Sequence, residues 1–173
     1  QDLFDKTRLA ILKDHQVLIN ACRGEVLNNQ AALELFEQGQ LLNLVLDVWE
    51  NEPNINLDLI PHIALATAHI AGHTIEGKAR GTEMLYLALC KHLGIQADKK
   101  LSDYLPVAEP SSAKINENQG FWQVMQQCVL NVYNIETDDQ YFKANMHDGD
   151  QFRYIRKHYP IRREFSAIAL NTG

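Results

Sequence analysis

Three short polar segments of this chain could together carry out proton and hydride chemistry. They are Arg23-Gly24, residues 47–53 with Glu52 near their end, and residues 69–73. An arginine can hold a carboxylate through two parallel hydrogen bonds, and a histidine exchanges protons near neutral pH. A glutamate beside that histidine could orient the ring and stabilise its protonated form. Such a set of groups suits the oxidation of a small hydroxy acid whose hydride passes to a cofactor.

Each of these segments follows an apolar stretch that predicts a β-strand, over residues 17–21, 42–48 and 62–68. The first stretch is apolar enough to be buried on both faces of a sheet. Asn28 can cap a helix over 29–38 between the first two strands. This order predicts a parallel sheet. Ligands bind beyond the carboxyl ends of parallel strands, so we expect the three segments to meet there.

Taken singly, each candidate has an ordinary structural explanation. Arg23 could be a surface arginine in a turn, and Asp47 and Glu52 could be solvated loop acids. A lone histidine such as His69 is more often structural than catalytic, and His73, one helical turn further on, competes with it for the same role. The order of the segments and their placement at strand ends favour a shared site.

The middle of the chain predicts a long helix and then a linker. The helix should cover about 75–93 and end at Gly94. Because residues 84–90 are apolar nearly all round, we expect this helix to be buried between layers or between subunits. Proline, serine, asparagine and lysine residues across 95–120 predict an extended linker.

The remainder predicts a small α+β module, with helices over 121–133 and 150–159 and a strand over 165–170. The expected organisation therefore has three consecutive parts. They are a parallel α/β part with its crossover helix, the linker and the α+β module, over 1–94, 95–120 and 121–173; the family resemblance described below implies that the first part binds a nucleotide.

Composition limits the classes of partner and the cellular location. The net charge of −6 argues against a nucleic-acid partner, which needs a basic surface. No apolar run is long enough for a membrane span, and no N-terminal signal is present. Cys22, Cys90 and Cys128 lack metal-ligand spacing and are typical of reduced thiols in an interior. We therefore expect a cytoplasmic protein with no metal site and no membrane contact.

The three polar segments with their flanking residues resemble the signature segments of the D-isomer-specific 2-hydroxyacid dehydrogenases. The matching stretches are 18–24, 46–53 and 68–74. This resemblance implies an α/β fold, namely a partial Rossmann-like parallel sheet followed by a small α+β dimerisation domain. It also implies NAD as the cofactor.

The C-terminal part resembles a narrower branch of that family, in the stretches 104–106, 132–135, 152–159 and 162–165. The branch acts on a small phosphorylated hydroxy acid and forms a homodimer through an appended domain. Both properties are therefore expected for this protein.

The resemblance also implies roles for individual residues. Arg23 would bind the substrate carboxylate, His69 would accept the hydroxyl proton during oxidation, and Glu52 would hydrogen-bond His69. Asp47 would contact the carboxamide of the nicotinamide, and Gly72 would pack near its ring.

His73 departs from the branch pattern. It occupies a place where relatives commonly have a tyrosine that contacts substrate, so His73 is expected to bind substrate.

One motif of the family is missing from this sequence. Relatives hold the cofactor pyrophosphate on a GxGxxG turn, and no such turn occurs here. We therefore expect the chain to begin inside the nucleotide-binding domain and to be inactive alone. Two other interpretations stay open: a dehydrogenase for another 2-hydroxy acid, such as phosphoglycerate or glycerate, and a non-catalytic dimerisation module.

Overall fold

The computed structural model describes residues 1–109, 111–116 and 118–172. These residues form two compact units. The first combines residues 1–71 with 135–159, and the second combines 72–134 with the residues from 160 onward. The fold is α/β, as the sequence predicts. Its helices are α1 Lys6–Ala10, α2 Asn29–Glu37, α3 Ile75–Leu93, α4 Phe121–Val132, α5 Ile135–Asn145 and α6 Gly149–Lys157. Its strands are β1 Val17–Asn20, β2 Asn43–Leu46, β3 Leu65–Ala66, β4 Ser112–Ile115 and β5 Ala169–Thr172.

The first unit is built on a parallel sheet with the strand order β1-β2-β3. Ile19 lies opposite Val45, and Val45 lies opposite Leu65. The carboxyl ends of the strands therefore meet at one edge, as expected from the order of the segments. Asn28 caps α2 by accepting a hydrogen bond from the backbone N–H of Ala31 at 2.8 Å, which confirms the predicted start of this helix.

The core of the first unit joins the sheet to α5 and α6. Leu44 and Leu46 of β2 are fully buried. Trp49 stacks on Phe142 of α5 with ring centroids 5.6 Å apart, and Phe142 meets Phe152 of α6 edge to face at 6.3 Å. Aromatic pairs in these arrangements add to the stabilisation that burial alone provides.

Side chains of α5 satisfy the backbone groups at the outer edge of β3. The Asp139 carboxylate accepts a 2.7 Å hydrogen bond from the backbone N–H of Ala66. Lys143 donates to the carbonyl oxygen of Ile63 at 2.8 Å and pairs with Asp139 at 2.9 Å. Because an unpaired backbone group at a buried edge is costly, these contacts stabilise the short third strand.

The second unit contains α3, α4 and a two-stranded parallel sheet of β4 and β5. Thr74 caps α3 by accepting from the backbone N–H of Gly77 at 3.0 Å. Gly94 ends the helix in the left-handed conformation with φ +69°. The bounds of α3 agree with the predicted helix over 75–93.

Several details of the predicted elements are wrong. The first strand is not buried on both faces, since Val17 and Ile19 are 59% and 65% exposed on the edge strand of the described sheet. The third strand is only Leu65–Ala66, in the middle of the predicted stretch 62–68, and the first residue of that stretch ends a 3₁₀ helix, Leu57–His62. Met84 and Leu85 of α3 are exposed in the single chain, so they are not buried between its layers, and burial between subunits stays a prediction.

The division into units differs from the three consecutive parts expected from the sequence. Residues 135–159 pack with residues 1–71 because Phe142, Phe152 and Ile155 complete the first core. The expected linker contains β4, which pairs with β5. That pairing places the last strand at 169–172 rather than 165–170.

Three further observations concern membrane-spanning helices, the cysteine thiols and metal-ligating side chains. No helix among the described residues is long and apolar enough to cross a membrane. Cys90 is buried as expected, whereas Cys22 is exposed and Cys128 is half-buried. The described residues contain no cluster of three metal-ligating side chains.

Candidate active site

Three loops lie side by side at the carboxyl edge of the parallel sheet, one after each strand. The backbone N–H of Asp47 donates to the carbonyl oxygen of Asn20 at 3.0 Å, and the N–H of His69 donates to the carbonyl oxygen of Asp47 at 2.7 Å. Backbone hydrogen bonds between neighbouring segments therefore continue past the ends of β2 and β3. The residues that follow each strand are held next to one another.

Gly24 allows the first loop to touch the second. A Cβ atom at this position would lie 1.9 Å from the carbonyl oxygen of Trp49, so only glycine fits. The Asn20 side chain fixes the same loop by donating to the carbonyl oxygen of Arg23 at 3.0 Å. Backbone packing thus sets the position of Arg23.

Asp47 organises the turn that carries His69. One carboxylate oxygen of Asp47 accepts hydrogen bonds from the Thr67 hydroxyl and from the backbone N–H of Ile70, both at 2.7 Å. The other oxygen accepts from the N–H of Ala71 at 3.0 Å. The side chain is buried, so these charge-assisted bonds are the means by which its charge is compensated.

His69 itself adopts an unusual backbone conformation. Its φ angle is +55°, in the left-handed region that residues with a Cβ atom rarely occupy. Such a conformation costs about 1–3 kcal/mol and persists only where the surroundings impose it. Asp47 contributes to that constraint by accepting hydrogen bonds from the backbone N–H groups of His69 and Ile70.

Glu52 and His69 form the central pair of the site. A carboxylate oxygen of Glu52 lies 2.7 Å from Nδ1 of His69, and the side chains are 20% and 25% exposed. The other carboxylate oxygen accepts from the backbone N–H of Trp49 at 2.9 Å. Because an ionised carboxylate can only accept, Nδ1 carries the hydrogen and Nε2 of the neutral ring is a proton acceptor. Nε2 makes no hydrogen bond within the described part of the chain.

Arg23 has a more open environment than the pair. Its side chain is exposed, and Nη1 donates to the carbonyl oxygen of Cys22 at 2.7 Å. None of the ion pairs in the described ranges involves Arg23. A guanidinium with donors still available suits the binding of a carboxylate, and this role stays a prediction.

The remaining candidates lie at the start of the second unit. Gly72 has φ +75° and open space where a Cβ would be, so its conformation alone favours glycine. His73 follows it directly. The nicotinamide contact expected of Gly72 and the substrate contact expected of His73 stay predictions.

Sequence reasoning missed several residues that build this edge. Thr67 and Asn20 hold the loops through hydrogen bonds. Glu50 and Asn29 bind each other reciprocally: the Glu50 carboxylate accepts from the N–H of Asn29 at 2.6 Å, and the Asn29 amide oxygen accepts from the N–H of Glu50 at 3.2 Å. The available signal was polarity, because Asn20 and Thr67 are polar residues at the ends of apolar stretches.

Comparison with known families assigns the two ends of the chain separately. Residues 1–71 match the NAD-binding domain of the D-isomer specific 2-hydroxyacid dehydrogenases. Residues 104–173 match a domain of unknown function, DUF3410. With the parallel sheet and the paired histidine and glutamate at its edge, the first match places residues 1–71 in the NAD-binding domain of the D-isomer specific 2-hydroxyacid dehydrogenases.

Over nearly its whole length the chain is similar to erythronate-4-phosphate dehydrogenases. It is 57% identical over 171 residues to the enzyme of Pseudoalteromonas atlantica, an overlap of 99% of this chain and 46% of the relative. For the enzyme of Colwellia psychrerythraea the identity is 45%, with 98% and 42% covered. For that of Pseudoalteromonas translucida it is 44%, with 97% and 44% covered. The chain thus spans less than half the length of these relatives.

The residues at the sheet edge fit a nicotinamide cofactor. The Asp47 carboxylate has about four acceptor positions, and donors among the described residues use three of them. One position is left for an amide donor such as a carboxamide N–H. This fit agrees with the match to an NAD-binding domain.

Proposed function

We propose that this chain belongs to an enzyme that oxidises 4-phospho-D-erythronate to the 2-oxo acid, 2-oxo-3-hydroxy-4-phosphobutanoate, with NAD. This reaction would serve the biosynthesis of pyridoxal 5′-phosphate (vitamin B6). The observation that carries the proposal is the Glu52–His69 pair at the carboxyl edge of the sheet, 2.7 Å apart. The name shared by the similar proteins supports the choice of substrate.

His69 acts as the general base in this proposal. Its Nε2 is an acceptor whenever Nδ1 carries the hydrogen, so it takes the proton from the C2 hydroxyl as the C2–O double bond forms. In the reverse direction the same atom returns the proton to the oxygen. NAD⁺, when bound, accepts the hydride that leaves C2.

Glu52 and Arg23 prepare the reactants for that transfer. Glu52 fixes the ring orientation and stabilises the imidazolium that forms when Nε2 is protonated. Arg23 binds the substrate carboxylate and holds C2 in a reactive position. The reactants are then already aligned in the bound state, so the entropic cost of aligning them does not add to the barrier of the chemical step. Its positive charge also stabilises negative charge that develops on the C2 oxygen in the reverse direction.

The second unit supports an assembly between copies of the chain. The start of α4 presents Phe121 and Trp122 to the surface, and Trp122 is 80% exposed. Large exposed aromatic residues are typical of protein interfaces. We propose that the protein is a homodimer, that it acts in the cytoplasm and that His73 contacts the substrate.

The experiment that tests the function is a spectrophotometric assay of NADH formation, with the natural protein that contains this chain. We expect oxidation of 4-phospho-D-erythronate with kcat/KM well above the values for 3-phosphoglycerate and glycerate. A higher kcat/KM for either of those acids would replace the substrate assignment. No NADH formation with any 2-hydroxy acid would contradict the proposed activity. Residues 1–173 alone are expected to be inactive, and turnover by them would contradict that expectation.

A further inference from the structure

One helix of the first unit contacts His69 and, separately, the loop that follows Glu52. This helix is α6, which lies about 80 residues further along the chain than the pair. It begins at Gly149, buries Phe152 and Ile155 in the core and carries Arg156 in its last turn. Its last turn contacts His69, and its first turn and its middle connect to the loop after β2 that carries Glu52.

The last turn of α6 reaches the histidine directly. Nε of Arg156 donates to the backbone carbonyl oxygen of His69 at 3.2 Å. That carbonyl belongs to the residue with φ +55°, whose conformation needs support from its surroundings. The Asp47 carboxylate accepts hydrogen bonds from the N–H groups of the two residues that follow His69. It cannot donate to the His69 carbonyl oxygen, and Arg156 supplies that hydrogen bond.

The first turn of α6 reaches the loop of the glutamate. A Cβ at Gly149 would lie 2.2 Å from the side-chain oxygen of Asn54 and 3.4 Å from the carbonyl oxygen of Pro53. Pro53 directly follows Glu52. Close packing at this point therefore limits how far the loop that follows Glu52 can move towards α6.

The middle of α6 connects to the same loop through aromatic rings. Phe152 meets Phe142 edge to face, and Phe142 stacks on Trp49. The Trp49 backbone N–H donates to the Glu52 carboxylate at 2.9 Å, and its indole N–H donates to the carbonyl oxygen of Thr67 at 2.9 Å. These contacts couple the loop after β2 to the segment that leads into His69.

We propose that α6 sets the geometry of the Glu52–His69 pair and that Arg156 is a positioning residue for His69. Arg156 is a positioning residue in this proposal because its hydrogen bond goes to the backbone carbonyl oxygen of His69 and not to the ring. The inference rests on the proposed function insofar as His69 is the general base. The geometry of the pair can also be measured without turnover.

The test compares Arg156→Gln with a matched control, Arg153→Gln, in the natural protein that contains this chain. Arg153 lies one turn earlier on α6, is exposed and pairs with Asp150. For Arg156→Gln we expect kcat to fall about 10-fold with KM changed less than about 2-fold, because a slightly misplaced base slows the chemical step while binding is retained. Arg156→Lys, which keeps a cationic donor, should recover part of the loss. Arg153→Gln should match the unaltered protein.

A second readout follows the pair directly. The proton on Nδ1 of His69 gives an NMR resonance that depends on its hydrogen bond to Glu52, and His69→Ala identifies that resonance by removing it. We expect Arg156→Gln to shift this resonance and Arg153→Gln to leave it unchanged. Should Arg156→Gln unfold the protein, Arg156→Lys is measured instead, with a smaller shift expected.

The two readouts separate the failure of this inference from failure of the proposed function. An unshifted resonance together with an unchanged kcat overturns the positioning role of Arg156. A protein without dehydrogenase activity contradicts the proposed function, and the resonance still decides the inference. A loss of kcat of equal size in Arg153→Gln would also overturn it, since the effect would then belong to the helix surface in general.

Discussion

The two units each contain a carboxylate paired with a cationic or ionisable base, and the two pairs are built differently. In the first unit, Glu52 meets His69 at 2.7 Å with about a fifth to a quarter of each side chain exposed. In the second, Glu76 meets Arg163 at 2.5 Å with 6% and 15% exposed. Short distance alone therefore does not distinguish the pair that we propose to take part in the reaction from a structural ion pair.

The surroundings of the pairs show what separates them. Arg163 also donates to the carbonyl oxygen of Pro106, and the second oxygen of Glu76 accepts from the backbone N–H of Glu164 at 3.1 Å. Burial raises the pKa of the Glu76 carboxyl, but the hydrogen bonds from Arg163 and from backbone N–H groups outweigh it and hold the pKa below its ordinary value. A guanidinium such as that of Arg163 acts only as a hydrogen-bond donor, whereas an imidazole such as that of His69 has a second ring nitrogen that Glu52 does not contact.

Among the substitutions that test this comparison, removal of the His69 imidazole should have the largest effect. We expect His69→Ala to lower kcat by about 10³-fold, within the range for removal of a general base, while NAD binding and the melting temperature change little. Steady-state kinetics, cofactor titration and thermal unfolding would measure this. His15→Ala, which removes an exposed histidine, is the control. Retained activity in His69→Ala would contradict the assignment of the base.

Disruption of the Glu76–Arg163 pair should change the stability of the protein rather than its catalytic activity. We expect Glu76→Gln to lower the free energy of unfolding by about 3 kcal/mol, because it leaves the Arg163 guanidinium buried without its counter-charge. Denaturant titration would measure the loss. Arg80→Gln breaks an exposed pair with Glu164 and should cost less than about 1 kcal/mol. Equal losses of the free energy of unfolding in both variants would show that burial does not determine how much these ion pairs stabilise the protein.

Removal of the charge from Glu52 should have an intermediate effect on catalysis. We expect Glu52→Gln to lower kcat about 10-fold to 100-fold and to move the pH profile of activity, because the amide no longer stabilises the imidazolium. The profile of kcat against pH would show the change. Glu37→Gln, at an exposed position of α2, is the control. An unaltered profile would argue against a working Glu52–His69 pair.

The smallest effect concerns the pH dependence of stability in the second unit. A carboxyl whose pKa is lowered by folding stabilises the protein above its unfolded pKa, near 4.3 for glutamate, and loses that contribution as the pH falls through the folded value. The stability difference between the unaltered protein and Glu76→Gln should therefore shrink below about pH 4. Denaturant titrations at pH 7, 5, 4 and 3 would test this. A difference that stays constant would show that the carboxylate charge is not the source of the stabilisation.

The sequence predicted well whatever depends on local pattern. The start of α2 at its Asn28 cap, the bounds of α3 and the parallel sheet all follow from capping residues and apolar stretches. It could not show that residues 135–159 return to the first unit, because the packing of Phe142 against Trp49 is a contact between distant parts of the chain. Local pattern contains no information about such contacts.

In the candidate site, too, features of local sequence pattern were predicted and contacts between distant parts of the chain were not. Glu52 and His69 lie together in the structure, and their placement at strand ends indicated this in advance. The hydrogen bond from Arg156 to the carbonyl oxygen of His69 had no signal in the sequence, because Arg156 resembles any basic residue near the end of an exposed helix. The roles of Arg23, Asp47, Gly72 and His73 stay predictions.

The contact between Gly24 and the carbonyl oxygen of Trp49 has an evolutionary consequence. Main chain meets main chain there, so neither loop can lengthen or shift without separating the two. A descendant with a new substrate preference would have to acquire it by exchanging side chains on loops of fixed length, or by altering parts of the protein outside this edge.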